Sequence, residues 1–258
     1  MKKVCIFVFS GTGITKYVVD KMKSEFEKHQ VYVDVFCIEN FQAQDFLYTQ
    51  YDSVGIAYPV HSFNAPEIMV KFARRLPRVN NMDTFIISTA GGSSSLSFAS
   101  SDLLIKTIEK KGFSVYYEKQ FIMPSNFIVK DSEDMVKDKI DRVNIEIPKA
   151  VYEIINRVSH KVKSKFITKI IAFLGRAEWY GVKCVKFFYA DASCNHCGIC
   201  VEKCPNHNIT MKEDHVIFKR KCGLCMRCLY LCPRQSIRIR WPYKFIGFEN
   251  WYEDVFFS

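Results

Sequence analysis

The sequence lacks a hydrophobic run long enough to cross a membrane. A membrane-spanning helix needs about eighteen or more consecutive apolar residues, and the nearest stretch, residues 166–174, is interrupted by Lys169. The apolar run that ends at Phe9 is too short for the core of a signal peptide and leads into a glycine-rich turn. We therefore expect a cytoplasmic protein without a transmembrane segment.

Two common nucleotide-binding signatures are also missing. The chain contains no Gly-Lys-Thr or Gly-Lys-Ser of a P-loop and no three-glycine dinucleotide fingerprint. The second absence argues against direct oxidation of NAD(P)H. Any phosphate site must therefore be built from another kind of loop.

Eight of the eleven cysteines fall into two copies of one pattern. The copies run Cys194-x-x-Cys197-x-x-Cys200-x-x-x-Cys204-Pro205 and Cys222-x-x-Cys225-x-x-Cys228-x-x-x-Cys232-Pro233. In this spacing three thiolates hold one iron–sulfur cluster, and the cysteine beside proline ligates the cluster of the other run. Structural zinc also uses Cys-x-x-Cys pairs, but it has no use for triplets with a trailing Cys-Pro. The predicted ligands are Cys194, Cys197, Cys200 and Cys232 for one 4Fe-4S cluster, and Cys222, Cys225, Cys228 and Cys204 for the other.

Residues 189–240 thus resemble a bacterial two-cluster ferredoxin. The repeat continues beyond each Cys-Pro, with Asn208-Ile209 after the first and Ser236-Ile237 after the second, which implies two pseudo-symmetric half-domains. We expect the three cysteines outside the runs, Cys5, Cys37 and Cys184, to be buried within the protein. We also expect the protein to reside in a reducing compartment.

The positive charge is concentrated in the second half of the chain. Residues 1–147 hold 18 Lys and Arg against 18 Asp and Glu, whereas residues 148–258 hold 19 against 9. Two oxidised clusters with their thiolates would remove about four units of this excess. The moderately basic surface that remains favours an acidic redox partner protein over nucleic acid, and contact with a membrane surface is left open.

The first half alternates buried apolar runs with helical patterns, as in a doubly wound parallel sheet. Continuous apolar runs indicate strands buried on both faces, and we expect five of them with helices on both sides. The predicted strands are 3–9, 31–37, 53–58, 84–89 and 113–123, and the predicted helices are 15–29, 65–76, 96–111 and 131–165.

The first strand leads directly into a hydroxyl-rich turn, Ser10-Gly11-Thr12-Gly13-Ile14-Thr15. Backbone N–H groups of such a turn and the positive end of the following helix form an anion cradle, and the hydroxyls add donors. The turn could also be an ordinary strand-to-helix connection with an N-cap. It resembles the FMN phosphate loop of flavodoxins.

Two further loops follow the third and fourth strands at the same edge of the sheet, where the flavodoxin resemblance implies the isoalloxazine ring. Tyr58 or Phe63 could stack on the ring, and backbone amides near Gly91 could reach its pyrimidine edge. His61 could transfer a proton to the flavin, or it could be a surface or packing residue. Asn126 could contact the flavin or end the last strand. The residues assigned to these loops are Tyr58, Pro59, Val60, His61, Phe63, Asn64, Thr89, Ala90, Gly91 and Gly92.

Residues 166–188 mix apolar and basic side chains. They could lie on a membrane as an amphipathic helix, but we favour packing between the two domains, because a small ferredoxin module needs extra apolar cover. The last residues, 241–257, are rich in aromatic side chains and could cover a cluster or the domain junction.

The order of the two halves resembles the EFR-type ferrodoxin family of flavodoxin–ferredoxin fusions, found in anaerobic microbes. The resemblance covers nearly all of residues 1–240 and implies electron transfer between FMN, two 4Fe-4S clusters and a partner. A flavin-dependent reductase fed by the clusters is an alternative, as is a redox-sensing or binding module with a vestigial flavin site. We predict an FMN-binding domain at 1–160, a helical connector at 161–186, a ferredoxin domain at 187–240 and an aromatic tail at 241–258.

Overall fold

The first half of the chain forms a five-stranded parallel sheet. The computed structural model describes residues 1–41, 46–92, 97, 99–126, 130–162, 164–176 and 188–239. The strands are β1 (Lys3–Val8), β2 (Tyr32–Cys37), β3 (Ser53–Pro59), β4 (Met82–Ala90) and β5 (Phe113–Ile122). They pair in the order β2-β1-β3-β4-β5, all parallel. This is the flavodoxin-like order of a doubly wound sheet, so the predicted fold class is confirmed.

Helices cover both faces of this sheet. They are α1 (Ile14–Lys28), α2 (Glu67–Arg75), α3 (Asp102–Glu109) and α4 (Glu133–Ile155). Side chains of α1 and α4 share one buried core with the sheet, and side chains of α2 and α3 share the other. Alternate residues of β1 enter the two cores, Val4 and Ile6 on one side and Cys5 and Phe7 on the other. Burial on both faces explains why the strands read as continuous apolar runs.

The last helix of the sheet region is shorter than the sequence predicts. We expected a helix over 131–165, but α4 ends at Ile155 and Arg157 adopts a left-handed φ of 53°. The chain then runs beside β5, where the N–H of Glu118 donates to the His160 carbonyl at 2.7 Å and the N–H of His160 donates to Tyr116 at 3.0 Å. Hydrogen bonding to an open strand edge therefore replaces the final helical turns.

Helix α5 (Phe166–Gly175) follows, and the described residues from 188 onward form a small α+β region with short elements. In this region β6 (Phe188–Ala190) pairs antiparallel with β9 (Ile237–Ile239), and β7 (Ile209–Lys212) pairs antiparallel with β8 (His215–Phe218). Residues 177–186 of the predicted connector and the tail 241–258 lie outside the described residues. Within the part of the chain that is described, no helix is both long and apolar enough to cross a bilayer. The elements after α5 are β6 (Phe188–Ala190), α6 (Ile199–Glu202), β7 (Ile209–Lys212), β8 (His215–Phe218), α7 (Arg227–Tyr230) and β9 (Ile237–Ile239).

Candidate functional site

The loop after β1 has the geometry of an anion cradle. Gly13 adopts a left-handed φ of 81° at the N-cap of α1, a conformation that glycine takes at little cost. The helical hydrogen bonds start where the N–H of Tyr17 donates to Gly13 at 2.9 Å, and the N–H of Lys16 donates to Ser10 Oγ at 3.2 Å. The preceding N–H groups stand outside the helical ladder at the positive end of the helix.

Hydroxyl groups join this loop to two others. Thr12 and Thr15 are 3% and 1% exposed. The Thr15 hydroxyl lies 2.8 Å from the Thr89 hydroxyl at the end of β4, and the Asn126 amide donates to Thr12 Oγ1. Three loops that are distant in sequence are therefore fixed together, and Asn126 belongs to this constellation instead of only ending the last strand.

These loops enclose one cavity at the carboxyl edge of the sheet. The cavity combines backbone, hydroxyl and apolar surface, which is the usual character of a cofactor site. Eleven of the predicted flavin-site residues line it: Ser10, Gly11, Thr12, Ile14, Thr15, Pro59, Val60, His61, Thr89, Ala90 and Gly91. Asn126, for which the sequence left a flavin contact open, also lines it, as do six residues that were not assigned to this site: Ser62, Met123, Pro124, Leu224, Cys225 and Met226.

Five predicted residues are not among those that line the cavity: Gly13, Tyr58, Phe63, Asn64 and Gly92. Tyr58 is fully buried in the core beside α2 and α3, so its predicted stacking on a flavin is wrong. Phe63 is a partly exposed loop residue with a left-handed φ of 62°. The Asn64 amide donates to the carbonyls of Ser62 and Ala172, both at 2.8 Å, and so acts as a structural bridge to α5.

His61 connects this cavity to the cysteine-rich region. Its imidazole lies beside the backbone of Gly223, and burial lowers the pKa of the ring to about 4. His61 is therefore neutral at pH 7. Its contact with the loop between two predicted cluster ligands could not be read from the sequence, because it depends on how the two regions dock.

A largely buried ion pair stabilises the loops that form the cavity. Lys139 Nζ lies 2.6 Å from Asp131 Oδ2 and donates to the Gly91 carbonyl at 2.9 Å. Asp131 also accepts the N–H of Ser125 at 2.9 Å. The pair thereby links α4 to the loops after β4 and β5, which holds two walls of the cavity in place.

The eight predicted cluster ligands divide into the two predicted sets of four. Cys194, Cys197, Cys200 and Cys232 line one cavity, and Cys204, Cys222, Cys225 and Cys228 line another. Among the described residues, no three His, Cys, Asp or Glu side chains lie close enough to bind a single metal ion. Each set surrounds a space instead. The exchange of the fourth cysteine between the two runs, expected from the spacing, is present in this arrangement.

The thiols within each set influence one another. Burial, followed by the neighbouring Cys232, Cys194 and Cys197, raises the pKa of Cys200 to about 11. Burial and nearby thiols also raise the pKa of Cys228, and its neighbours Cys225, Cys222 and Cys204 belong to the same set. Both shifts favour the protonated thiol in the metal-free protein, so a metal that binds Cys200 or Cys228 would have to displace a proton.

The backbone repeats with the same period as the cysteines. Left-handed φ angles recur 28 residues apart, at His196 and Leu224, at Gly198 and Met226, and at His207 and Gln235. After each Cys-Pro a backbone N–H lies near the preceding thiol, Asn208 at 3.2 Å from Cys204 Sγ and Ser236 at 3.3 Å from Cys232 Sγ. The predicted pseudo-symmetry is therefore present in the fold.

The second set of cysteines packs directly against the loop after β1. A Cβ atom added to Gly11 would lie 2.1 Å from the Cys225 carbonyl oxygen, so only glycine permits this approach. The Arg227 guanidinium donates to the Ser10 carbonyl at 2.7 Å and pairs with Glu39. The Tyr230 hydroxyl donates to the Asn126 carbonyl at 3.3 Å. The sequence left open which set lies nearer the flavin-like cavity, and Cys225 on the wall of that cavity identifies the second.

Known proteins resemble this chain only weakly. No family model matches it, and neither does any curated protein. A flavodoxin from Streptococcus pneumoniae TIGR4 is 13% identical, with a TM-score of 0.39, and the match covers 59% of this chain and 98% of that one. Oxidised flavodoxin 1 from Bacillus cereus is 16% identical, with a TM-score of 0.37, over 58% of this chain and 98% of its own. Rubredoxin oxygen:oxidoreductase from the anaerobe Desulfovibrio gigas is 12% identical, with a TM-score of 0.39, over 62% of this chain and 38% of its own.

Similarity at this level carries no argument about activity. The fold assignment rests on the strand order β2-β1-β3-β4-β5 and the parallel pairing of the sheet. The first half therefore has the flavodoxin-like fold, and it is followed by a small region that repeats one cysteine-bearing unit twice.

Proposed function

We propose that this protein transfers electrons between FMN, two 4Fe-4S clusters and an external redox partner, as the resemblance to flavodoxin–ferredoxin fusions implies. One observation carries the proposal. Each set of cysteines assigned from the spacing lines its own cavity, and Cys225 also lines the cavity that the hydroxyl-rich loop bounds. The candidate flavin site and the site of the second cysteine set are therefore contiguous.

The residues of the first site fit a flavin phosphate. The turn supplies N–H groups outside the helical ladder, the buried hydroxyls of Thr12 and Thr15, and no acidic side chain. A phosphate monoester needs donors of this kind and does not require a lysine. The loops that begin at Val60 and Gly91 would then flank the ring, with the neutral His61 beside it.

The residues of the other two sites fit iron–sulfur clusters. Four thiols per site match the four-cysteine ligation of a 4Fe-4S cluster. Apolar side chains, among them Phe188, Ile209 and Phe218, line the cavity of the second set. They would limit water access, and the N–H groups of Asn208 and Ser236 would donate to ligand sulfurs. Both factors tune a cluster potential.

The chain's own part in this function is to position the cofactors and to shield them from solvent. FMN, when bound, supplies exchange of one or two electrons, and each cluster supplies exchange of one. Gly11 permits close approach of the Cys225 loop, Arg227 locks that loop to Ser10, and His61 ties it to the third strand's loop. The protein would thus hold one- and two-electron carriers side by side.

A cysteine variant tests the proposal. Cys225→Ser should reduce iron and acid-labile sulfide in anaerobically purified protein to about half, because one of two clusters is lost. Cys37→Ser is the matched control, since Cys37 is exposed, contrary to its predicted burial, and lies outside both sets. Cys194→Ser should produce the same loss at the other site, which guards against misfolding near Gly11. Unchanged iron in both cluster variants would refute the ligand assignment.

A further inference from the structure

Helix α5 presents its large apolar side chains to solvent. Phe166 is 80% exposed, Ile167 58%, Phe173 67% and Leu174 64%, and Ile170 is also exposed. Residues spaced by three and four positions share one face of a helix. Five large side chains thus form one apolar face on a helix of ten residues, which is unusual for a surface helix.

The opposite face of α5 carries small side chains and packs against the loop after β3. Thr168 and Ala172 are each 3% exposed. The Ala172 carbonyl accepts the Asn64 amide at 2.8 Å, and a Cβ added to Gly175 would lie 2.1 Å from the Ser62 carbonyl oxygen. This close backbone contact fixes which way the helix faces. Rotating the large side chains inward would force them into the loop after β3.

The sequence around the helix is predominantly basic. Residues 161–178 contain five Lys and Arg and one acidic residue, Glu178. Lys165 and Lys169 are exposed, and the Arg176 guanidinium lies 5.6 Å from the centre of the Phe173 ring. Basic side chains therefore border the apolar face.

We propose that α5 docks this protein on the surface of a bilayer that contains anionic lipid. An apolar face bordered by Lys and Arg is the pattern of a helix that lies in the membrane interface, where apolar side chains enter the acyl boundary and basic groups meet phosphates. An acidic protein partner would meet the same basic border, but only lipid binding makes the purified protein float with vesicles.

Vesicle flotation tests this proposal with the full-length, cofactor-loaded protein. Wild-type protein should float with vesicles of phosphatidylglycerol mixed with phosphatidylcholine and bind pure phosphatidylcholine vesicles more weakly. The double variant Phe166→Ser/Phe173→Ser should lower partitioning to the anionic vesicles by more than about tenfold. Lys165→Gln/Lys169→Gln should reduce the preference for anionic lipid while leaving weaker binding to neutral vesicles.

The control is Ile145→Ser/Tyr152→Ser, which removes exposed apolar surface from α4, where these residues are 77% and 60% exposed. It should change partitioning by less than about twofold, and circular dichroism and iron content should be the same for all variants. Failure of the wild-type protein to float would overturn the proposal. An equal loss in the control would also overturn it, as would a self-association of the wild type that the Phe variant abolishes.

Discussion

At the scale of single residues, Gly11 decides whether the two regions can meet. Its missing side chain allows the Cys225 carbonyl to approach to a distance at which a Cβ would clash. We predict that Gly11→Ala destabilises the protein by about 1–3 kcal/mol, the usual cost of overpacking. The measurement is the free energy of unfolding in denaturant.

Gly92→Ala is the matched control, because no atom of the described residues lies within 4 Å of a Cβ added there. It should alter the unfolding free energy by less than about 0.5 kcal/mol. Equal destabilisation by the two substitutions would mean that the Gly11 contact has no special role.

Glu118 predicts a pH dependence. It is 6% exposed, and burial raises the pKa of its carboxyl group although Ser101 donates to it at 2.5 Å. Because the folded pKa lies above the unfolded one, the stability that Glu118 contributes is complete below its unfolded pKa and is lost as pH rises through the folded value. Glu118→Gln cannot ionise, so its unfolding free energy relative to wild type should be higher at pH 7 than at pH 4.

The comparison variant is Glu109→Gln at the exposed end of α3, which measures the effect of removing a carboxylate from the protein surface. Parallel unfolding titrations of the three proteins provide the measurement. If Glu118→Gln had the same relative stability at both pH values, the carboxylate would carry no burial cost.

At the scale of elements, the central feature is the exchange of one cysteine between the two runs. Cys232 lies with Cys194, and Cys204 lies with Cys222. We predict that Cys194→Ser/Cys232→Ser retains about half of the iron, because both residues serve one cluster. Cys194→Ser/Cys204→Ser should lose nearly all of it, because each cluster loses a ligand.

Iron and sulfide assays on the two double variants distinguish this exchange from two independent runs. If each run held its own cluster, the outcomes would be reversed. Cys194→Ser/Cys204→Ser would then keep half of the iron and Cys194→Ser/Cys232→Ser would keep little.

The elements themselves were largely predictable from the sequence. The predicted first strand, 3–9, differs from β1 by one residue, because burial on both faces gives an unmistakable apolar run. The predicted helix 131–165 was too long because its final part, around His160, pairs with β5 instead. Such pairing depends on a strand edge that only the assembled sheet provides.

The site could be predicted from the sequence only where the topology of the sheet determines which loops meet. Loops after parallel strands meet at one edge, so the grouping of Thr15, Thr89 and Gly91 could be expected. Side-chain directions could not, and Tyr58 proved to face the core. A place at the cavity was one of the two alternatives predicted for Asn126, whereas the contribution of Cys225 depends on tertiary docking, for which the sequence holds no local signal.

At the scale of the whole molecule, one partly buried ion pair joins the two regions. Arg227 and Glu39 have side chains 19% and 13% exposed, and Arg227 also binds the Ser10 carbonyl. Removing either partner leaves a poorly solvated charge. We predict that Arg227→Ala and Glu39→Ala each destabilise the protein and that the double variant is less destabilised than the sum, with a coupling of about 1–3 kcal/mol.

Denaturant unfolding of the four proteins measures this coupling. The matched pair is Arg142 and Asp138 on α4, which are 71% and 55% exposed and should couple by less than about 0.5 kcal/mol. Strict additivity at Arg227 and Glu39 would show that the pair does not join the two regions.

Cofactor content tests the central claim most directly. Protein purified without oxygen should contain about eight irons, about eight acid-labile sulfides and about one FMN per chain. Eight irons with no flavin, even after FMN is added, would contradict the electron-transfer account and favour a cluster-based sensing or binding module. A chain without iron would contradict it entirely.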